Sequence, residues 1–338
     1  MKTIGRRSVL IGGIAAAAFR SAAVEAQTDK GEPNSTTPTP TPAPTSSPLW
    51  TKHGISEQLL YTTIMLNTVD AHGNTGSGTA SIIQLFTQQE RGVHVLLTNK
   101  HVVAGAVSVT LKLTRRRPDG SPDQEQTELL QLSDMQNWLP HPDPAVDLII
   151  YPFSNIAQRL ESEGRPIFYV ALPDNIIPTD EAVGSLSPLE DVVVVGYPDG
   201  ISDAAHNIPV LRKGITASPA FLDFDGKREF LIDAAIFPGS SGSPVFLYNQ
   251  GAWLNRDNQV QFGTRALLLG IVWGVRLHTQ PGQIAIIPAP TQQAITLTNL
   301  PNNLGICIKS SRILEFEPEI VKRGYKIPDG YKMRAAPN

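Results

Sequence analysis

From Trp50 onward the chain is a succession of short apolar segments rich in Val, Ile, Leu and Thr, separated by Gly, Pro, Asn and Asp. Runs this short, with β-branched side chains and turn residues between them, are typical of β-strands. Only residues 156–163 and 310–319 favour helices. Strands are predicted at 81–86, 93–98, 107–113, 147–151, 191–196, 229–234 and 267–275. We therefore predict an all-β fold, either a double barrel or a sandwich.

The composition is that of a globular protein with no electrostatic bias toward a polyanion. Of the 338 residues, 41% are hydrophobic and 17% are charged, which is enough apolar material to bury a core. The formal net charge of -3 gives no reason to expect a nucleic acid as partner. The single cysteine, Cys307, can form no intramolecular disulfide. No group of His, Cys and acidic residues has metal-ligand spacing, so no metal site is predicted.

The amino terminus has the pattern of an export signal. Three basic residues, Lys2, Arg6 and Arg7, precede an apolar run over 9–19, and small or apolar residues follow at the positions that determine cleavage. The apolar run is about half the roughly 20 residues that a membrane span needs, so no membrane span is predicted. The arginine pair resembles the twin-arginine signal, with an ordinary secretory signal as the alternative. We predict a signal peptide over 1–26 and an exported protein, periplasmic or extracellular.

A segment of Thr, Ser, Pro and small residues follows the predicted signal over 31–48. Such a segment cannot bury enough apolar area to offset the entropy lost when it becomes ordered. Residues 27–50 are therefore predicted to form a disordered spacer. A glycosylated stalk or a pro-segment is the alternative.

The chemistry-bearing residues begin with Ser241, which lies in a segment of the form Gly-x-Ser-Gly-x-Pro over 239–244. Flanking glycines permit a tight turn and a close approach of the backbone to a substrate carbonyl. A serine hydroxyl becomes a nucleophile only beside a base, with donors directed at the oxyanion that develops. The backbone N–H groups of Gly239 and Ser241 are the candidate donors of this oxyanion hole. Taken alone, the same pattern also fits an ordinary turn.

A candidate base and a candidate carboxylate accompany the serine. His101 ends an apolar strand, where it can face a cleft, whereas His141 lies between prolines in what is predicted to be a rigid surface loop. Asp147 opens another apolar strand, and a carboxylate at such a position needs a partner that an imidazole N–H can supply. Asp233 is the rival carboxylate, but its position shortly before Ser241 favours a structural role.

His101, Asp147 and Ser241 follow one another in the order found in chymotrypsin, which differs from that of subtilisins and α/β-hydrolases. At this point the chain resembles the trypsin-like serine peptidases, and most of all their glutamyl endopeptidase branch, with some similarity to the high-temperature-requirement proteases. The resemblance covers roughly residues 59–316. The motifs that carry it lie at 76–80, 97–103, 233–239, 242–246, 270–274 and 304–308.

The resemblance implies two six-stranded antiparallel β-barrels of the chymotrypsin type followed by a C-terminal helix. The first barrel would comprise 51–170 with His101 and Asp147, and the second, with the helix, 171–318 with Ser241, leaving 319–338 as a tail. It also implies a serine endopeptidase that needs no cofactor and acts on a protein or peptide substrate. The mechanism would be acylation of Ser241 with His101 as base and then acid.

Two positions depart from the patterns of these families. Ser240 stands where chymotrypsin-like zymogens have the aspartate that pairs with a new amino terminus, so activation by that ion pair is not expected. Val272 stands where glutamyl endopeptidases have a histidine that reads glutamate. An apolar pocket cannot offset the desolvation of a charged side chain, so uncharged small or medium residues are the expected substrates. The pocket is predicted at Ala235, Ile236, Val272, Trp273 and Gly274.

Three functions compete for this set of residues. The first is an active endopeptidase, which the complete set of His101, Asp147, Ser241 and Gly239 favours. The second is a peptide-binding module on the same fold that has lost catalysis. The third is an esterase that uses the same triad on a non-peptide substrate.

Overall fold

Two groups of mainly antiparallel strands, one in each half of the chain, make up the fold. The computed structural model describes residues 54–88, 91–257, 259–279, 299–328 and 330–334. All of them belong to one compact unit, Pro42–Asn338. The predicted signal peptide over 1–26 and the predicted spacer over 27–50 lie outside the described residues.

The first half forms a nine-stranded sheet. The strands are β1 Thr63–Asp70, β2 Thr75–Gln88, β3 Arg91–Thr98, β4 Ala106–Arg116, β5 Pro122–Leu132, β6 Leu139–Pro140, β7 Ile149–Pro152, β8 Ile167–Phe168 and β9 Leu172–Pro173. The main path of the sheet runs in the order β5-β4-β1-β2-β3-β7-β6, with β8 paired to β4 and β9 paired to β2. Three short helices accompany it: α1 Ile55–Leu59, α2 Lys100–Val103 and α3 Ser154–Ser162.

The second half forms a closed six-stranded barrel. Its strands are β10 Asp191–Gly196, β11 Val210–Thr216, β12 Glu229–Asp233, β13 Pro244–Leu254, β14 Val260–Thr279 and β15 Asn299–Lys309. They pair in the order β10-β11-β12-β15-β14-β13. Helix α4, Asp180–Gly184, precedes the barrel, and α5, Glu317–Lys322, follows it after a 3-10 turn over Ser310–Phe316. Cys307 is fully buried in the core of this barrel, as expected for a structural thiol.

Strand β2 explains how the first half packs against the second. Side chains on a strand alternate between its two faces. Ile82 packs into the core of the first sheet, whereas its neighbours Ile83 and Leu85 pack into a second core. That second core also contains Phe246 from β13 and Ile271 from β14. Both faces of β2 are therefore buried over 78–86, and its apolar residues serve two cores.

The prediction of an all-β fold of the chymotrypsin type is confirmed in a coarser form: the fold is mostly β and chymotrypsin-like, and a C-terminal helix is present. The first half, however, has nine strands in a sheet where six in a barrel were predicted. Strands β6, β8 and β9 have two residues each, too few for a sequence pattern to reveal. The predicted helix at 156–163 is α3, and α5 carries the C-terminal helix into the predicted tail, as far as Lys322. No helix in the described ranges is long and apolar enough to cross a membrane.

Candidate active site

The loop between β12 and β13 carries Ser241 at the junction of the two halves. Gly239 and Gly242 have φ values of +85° and +87°, in the left-handed region that favours glycine. A Cβ on Gly242 would lie 1.9 Å from the carbonyl oxygen of Thr79, and one on Gly239 would lie 2.5 Å from that of Tyr197. Both glycines are therefore required by the conformation of the loop and by the backbone packed against it.

His101 lies in α2, directly after β3, and Asp147 lies just before β7. The Nε2 atom of His101 is 2.9 Å from Ser241 Oγ, and its Nδ1 atom is 2.5 Å from Asp147 Oδ2. An ionised carboxylate only accepts hydrogen bonds, so Nδ1 carries the proton and Nε2 accepts from the serine hydroxyl. The structure thus brings the three predicted residues together in a tautomer suited to deprotonating Ser241.

Strand pairing places the histidine beside the aspartate. Thr98 at the end of β3 pairs with Ile149 at the start of β7, so the residues that follow one strand lie beside those that precede the other. The side-chain amide of Asn99 donates to the carbonyl of Asp147 at 2.7 Å. The backbone N–H of His101 donates to Asp147 Oδ1 at 3.2 Å. These bonds fix the positions of both catalytic candidates before any substrate is present.

The two rival residues lie elsewhere. His141 is buried with 3% of its surface exposed, and its Nδ1 accepts from the backbone N–H of Asp143 while Nε2 donates to the carbonyl of Arg312. The expectation that His141 lies on a surface loop was wrong, because this histidine ties the first sheet to the turn after β15. Burial lowers the pKa of His141. Asp233 ends β12 with an exposed side chain, and Asp147 is the carboxylate that contacts His101.

Hydrogen bonds at the far ends of two peptide units orient the predicted oxyanion donors. The carbonyl of Pro238 accepts from the backbone N–H of Asp199 at 2.5 Å, and the carbonyl of Ser240 accepts from that of Ser243 at 3.0 Å. In a planar trans peptide the N–H points away from the carbonyl oxygen. The N–H groups of Gly239 and Ser241 therefore point away from these contacts, and neither donates to any acceptor in the described part of the chain.

The five predicted pocket residues separate into two groups. The side chains of Ile236 and Val272 are 3% and 1% exposed and pack in the core of the barrel. Ala235, Trp273 and Gly274 are partly exposed. Any pocket here is therefore lined by the side chains of Ala235 and Trp273 and by the backbone of Ile236, Val272 and Gly274.

Four further residues shape the site, and the sequence did not single them out. Thr79 and Ser81 of β2 donate through their hydroxyls to the carbonyls of Gly239 and Gly242. The only sequence signal was that these two residues, like Gln84, are polar within the buried part of β2. The backbone N–H of Asp199 donates to the carbonyl of Pro238. Arg212 of β11 donates to the carbonyl of Ala235 at 2.7 Å and stacks 4.9 Å from the centre of the Phe237 ring.

Metal chemistry has no candidate site among these residues. Within the ranges that the structure describes, no three His, Cys, Asp or Glu side chains form a cluster able to hold a metal ion.

The fold and this geometry define a class: mostly-β serine hydrolases in which the histidine and aspartate come from one half of the chain and the serine from the other. The sequence profile of the trypsin-like peptidase domain matches residues 84–254, just over half of the chain and a range that contains His101, Asp147 and Ser241. The chain belongs to the trypsin-like peptidase family. The prediction of a trypsin-like serine peptidase, a serine endopeptidase by class, is confirmed, whereas the glutamyl endopeptidase branch stays a prediction.

Three solved structures that are similar to the chain are proteases. The HtrA-type protease AlgW, in complex with a tripeptide, matches at 16% identity and a TM-score of 0.43, over 79% of this chain and 62% of AlgW. The active form of the Rv3671c protease from M. tuberculosis matches at 17% identity and a TM-score of 0.37, over 89% and 96% of the respective chains. The thermostable serine protease AL20, from an extremophilic microorganism, matches at 12% and 0.39, over 74% and 91%. No curated protein matches the sequence.

Proposed function

We propose that the chain is an exported serine endopeptidase that hydrolyses peptide bonds through an acyl-enzyme on Ser241. The observation that carries this proposal is the continuous contact from Asp147 through His101 to Ser241, with distances of 2.5 and 2.9 Å. A catalytically silent binding module has no need of a histidine held in the one tautomer that activates a serine. Hydrolysis of the protein or peptide substrate requires no cofactor.

Acylation begins when Ser241 Oγ attacks the scissile carbonyl carbon and His101 Nε2 takes the hydroxyl proton. Asp147 stabilises the imidazolium that results, because its carboxylate already accepts from Nδ1. Negative charge collects on the carbonyl oxygen, where the N–H groups of Gly239 and Ser241 would donate to it. One such donor contributes about 3–4 kcal/mol to lowering the barrier in sites of this kind.

Acylation is completed, and the acyl-enzyme is then hydrolysed, by further proton transfers through His101. His101 gives its proton to the leaving amine, which breaks the C–N bond and leaves an ester on Ser241. A water molecule then attacks the ester carbonyl while His101 Nε2 accepts a proton from it. Breakdown of the second tetrahedral intermediate returns that proton to Ser241 Oγ and releases the carboxylic acid product.

The substrate side chain before the scissile bond is proposed to be uncharged and small or medium in size. Ala235, Trp273 and Gly274 offer an apolar lining, which cannot compensate the desolvation of a charge. The guanidinium of Arg212 is a positive charge beside Ala235, but it already donates to the Ala235 carbonyl and stacks on Phe237. A peptide-library digest measures this preference, and predominant cleavage after acidic residues would contradict it and would implicate Arg212.

The organisation of the chain is part of the same proposal. Residues 1–26 would direct export to the periplasm or beyond, and 27–50 would tether or inhibit the peptidase. Residues 51–170 and 171–318 would act as two lobes that each contribute part of the site, with 319–338 as a tail.

An active-site-directed fluorophosphonate tests the function. We expect the full chain, expressed with its own amino terminus, to be labelled at one serine and to cleave peptide amides. Ser241→Ala should lose both properties, while Ser240→Ala, a change at the adjacent buried serine, should retain the labelling. A wild-type protein that folds but neither labels nor cleaves would contradict the proposal. Labelling with hydrolysis of esters but not of amides would instead indicate the esterase.

A further inference from the structure

The hydroxyl of Thr79 makes three hydrogen bonds at the junction of the two halves. It donates to the carbonyl of Gly239 at 2.9 Å, and it accepts from the backbone N–H of Tyr197 at 3.1 Å and from the hydroxyl of Ser243 at 3.2 Å. A threonine hydroxyl has one proton and two lone pairs, so these bonds use its whole capacity. The side chain is completely buried.

Each partner of Thr79 belongs to a segment that shapes the predicted oxyanion hole. Gly239 supplies one of the two donors. Tyr197 lies two residues before Asp199. The backbone N–H of Asp199 donates to the carbonyl of Pro238 and thereby orients the N–H of Gly239, which belongs to the same peptide unit. Ser243 holds the carbonyl of Ser240 through its own N–H and thereby orients the N–H of Ser241. The Gly239 carbonyl that accepts from Thr79 belongs to the Gly239–Ser240 peptide, which lies between the two peptide units that carry the N–H groups of Gly239 and Ser241, so one hydroxyl connects both.

The loop itself offers little that could replace this contact. The side chain of Ser240, adjacent to the nucleophile, is buried, and within the described part of the chain its hydroxyl accepts only from the backbone N–H of Phe237 at 3.4 Å, a long hydrogen bond. Gly239 has no side chain and a positive φ, so its conformation depends on what surrounds it.

We infer that Thr79 is a positioning residue for catalysis: its hydroxyl holds the peptide units of Gly239 and Ser241 in the orientation that forms the oxyanion hole. The inference rests on the proposed function, because it assigns a role within that same site. Thr79 itself touches neither the substrate nor the reacting atoms. Its effect should therefore appear in the rate of acylation and leave substrate affinity nearly unchanged.

Thr79→Val removes the hydroxyl and keeps the shape of the side chain. We expect kcat and the rate of fluorophosphonate labelling to fall by about 10- to 100-fold, with KM within about twofold of wild type. Thr79→Ser restores the hydroxyl and should recover most of the rate. The matched control is Thr62→Val, which removes a hydroxyl that is also fully buried and also donates to a carbonyl, that of Leu59. That control should lower the unfolding temperature and leave kcat unchanged.

Crystal structures of wild type and Thr79→Val separate this inference from the proposed function. In wild type the Pro238 carbonyl should accept from Asp199 and the Thr79 hydroxyl should donate to Gly239, whether or not the enzyme is active. In Thr79→Val the Pro238–Gly239 peptide should turn. The inference is overturned if the variant keeps wild-type kcat or an unchanged loop. If the variant does not fold, a wild-type crystal structure with the Thr79 hydroxyl beyond 3.5 Å (about the limit for a hydrogen bond) from the Gly239 oxygen overturns it.

Discussion

The carboxylate of Asp147 accepts two hydrogen bonds from His101, one from the ring Nδ1–H at 2.5 Å and one from the backbone N–H at 3.2 Å. The two oxygens thus hold the helix that carries the histidine and the ring itself. A residue 46 positions away in sequence determines both the place and the tautomer of the proposed base.

Asp147→Asn is expected to lower kcat on the order of 10⁴-fold with little change in fold. The amide that replaces the carboxylate can donate to Nδ1, which moves the ring proton to Nε2 and leaves that atom unable to accept from Ser241. The measurement is kcat on a peptide amide at neutral pH. Asp143→Asn is the control, because Asp143 pairs with Arg312 away from His101 and should keep wild-type kcat. Loss of less than about tenfold in Asp147→Asn would speak against His101 as the base.

Gly239→Ala is expected to abolish most activity, by about 10²-fold or more, because the Cβ would lie 2.5 Å from the Tyr197 oxygen and displace an oxyanion donor. Gly120→Ala separates this clash from backbone strain. Gly120 has a φ of +84°, against +85° for Gly239, but a Cβ there meets no atom within 4 Å. Both variants should lose about 1 kcal/mol of stability from strain, and only Gly239→Ala should lose kcat. Equal kcat in the two variants would disprove the role of Gly239.

Acid is expected to destabilise the protein through His94. Burial lowers the pKa of this histidine from 6.5 to about 4, and its Nδ1 lies 2.9 Å from the hydroxyl of Tyr169. Below pH 6.5 His94 is protonated in the unfolded chain, whereas in the folded protein it stays neutral down to about pH 4. This histidine therefore costs no stability above pH 6.5, and the free energy of unfolding decreases by about 3 kcal/mol as the pH falls from 6.5 toward 4.

Chemical denaturation of wild type and His94→Gln at several pH values between 4 and 7 measures this contribution. The free energy of unfolding of His94→Gln should fall less steeply with acid than that of wild type. His72→Gln makes the same substitution at an exposed histidine and provides the comparison. Identical slopes for all three proteins would show that His94 does not carry the effect.

Tyr331→Phe is expected to destabilise the fold by about 2 kcal/mol. The Tyr331 hydroxyl lies 2.9 Å from Asp174 Oδ2 and 2.7 Å from Glu317 Oε1, and these two carboxylates are only 2% and 1% exposed. Burial raises the pKa of Glu317, and the hydrogen bond from Tyr331 opposes that rise. Removing the hydroxyl leaves a buried carboxylate with one hydrogen-bond donor fewer.

Thermal and chemical denaturation measure the change at Tyr331, and the control is Tyr325→Phe. The Tyr325 hydroxyl accepts from the exposed side chain of Asn155 at 3.2 Å and should contribute much less. Both variants should keep wild-type kcat. Equal stabilities would indicate that the C-terminal segment rests on the fold without stabilising it.

The sequence alone was sufficient for the features that depend on a few neighbouring residues. β-branched runs bounded by turn residues predicted strands, and each predicted segment lies within or overlaps a strand of the structure. Glycines around Ser241 predicted a tight loop, because a positive φ is accessible to glycine at little cost. The order of His101, Asp147 and Ser241 then indicated the chymotrypsin arrangement, since that order differs between unrelated serine hydrolases.

What the sequence could not determine are contacts whose partners are far apart along the chain. The hydrogen bond from Thr79 to Gly239 spans 160 residues and exists only because β2 of the first sheet packs against the loop between β12 and β13 of the barrel. The two-residue strands of the first sheet, the burial of His141 and the docking of Tyr331 on Glu317 likewise depend on how segments meet. Backbone propensity is local and can be read from a short window of residues. The docking of two sheets depends on the side chains of both at once, so only the tertiary structure decided which hydroxyls and amides surround Ser241.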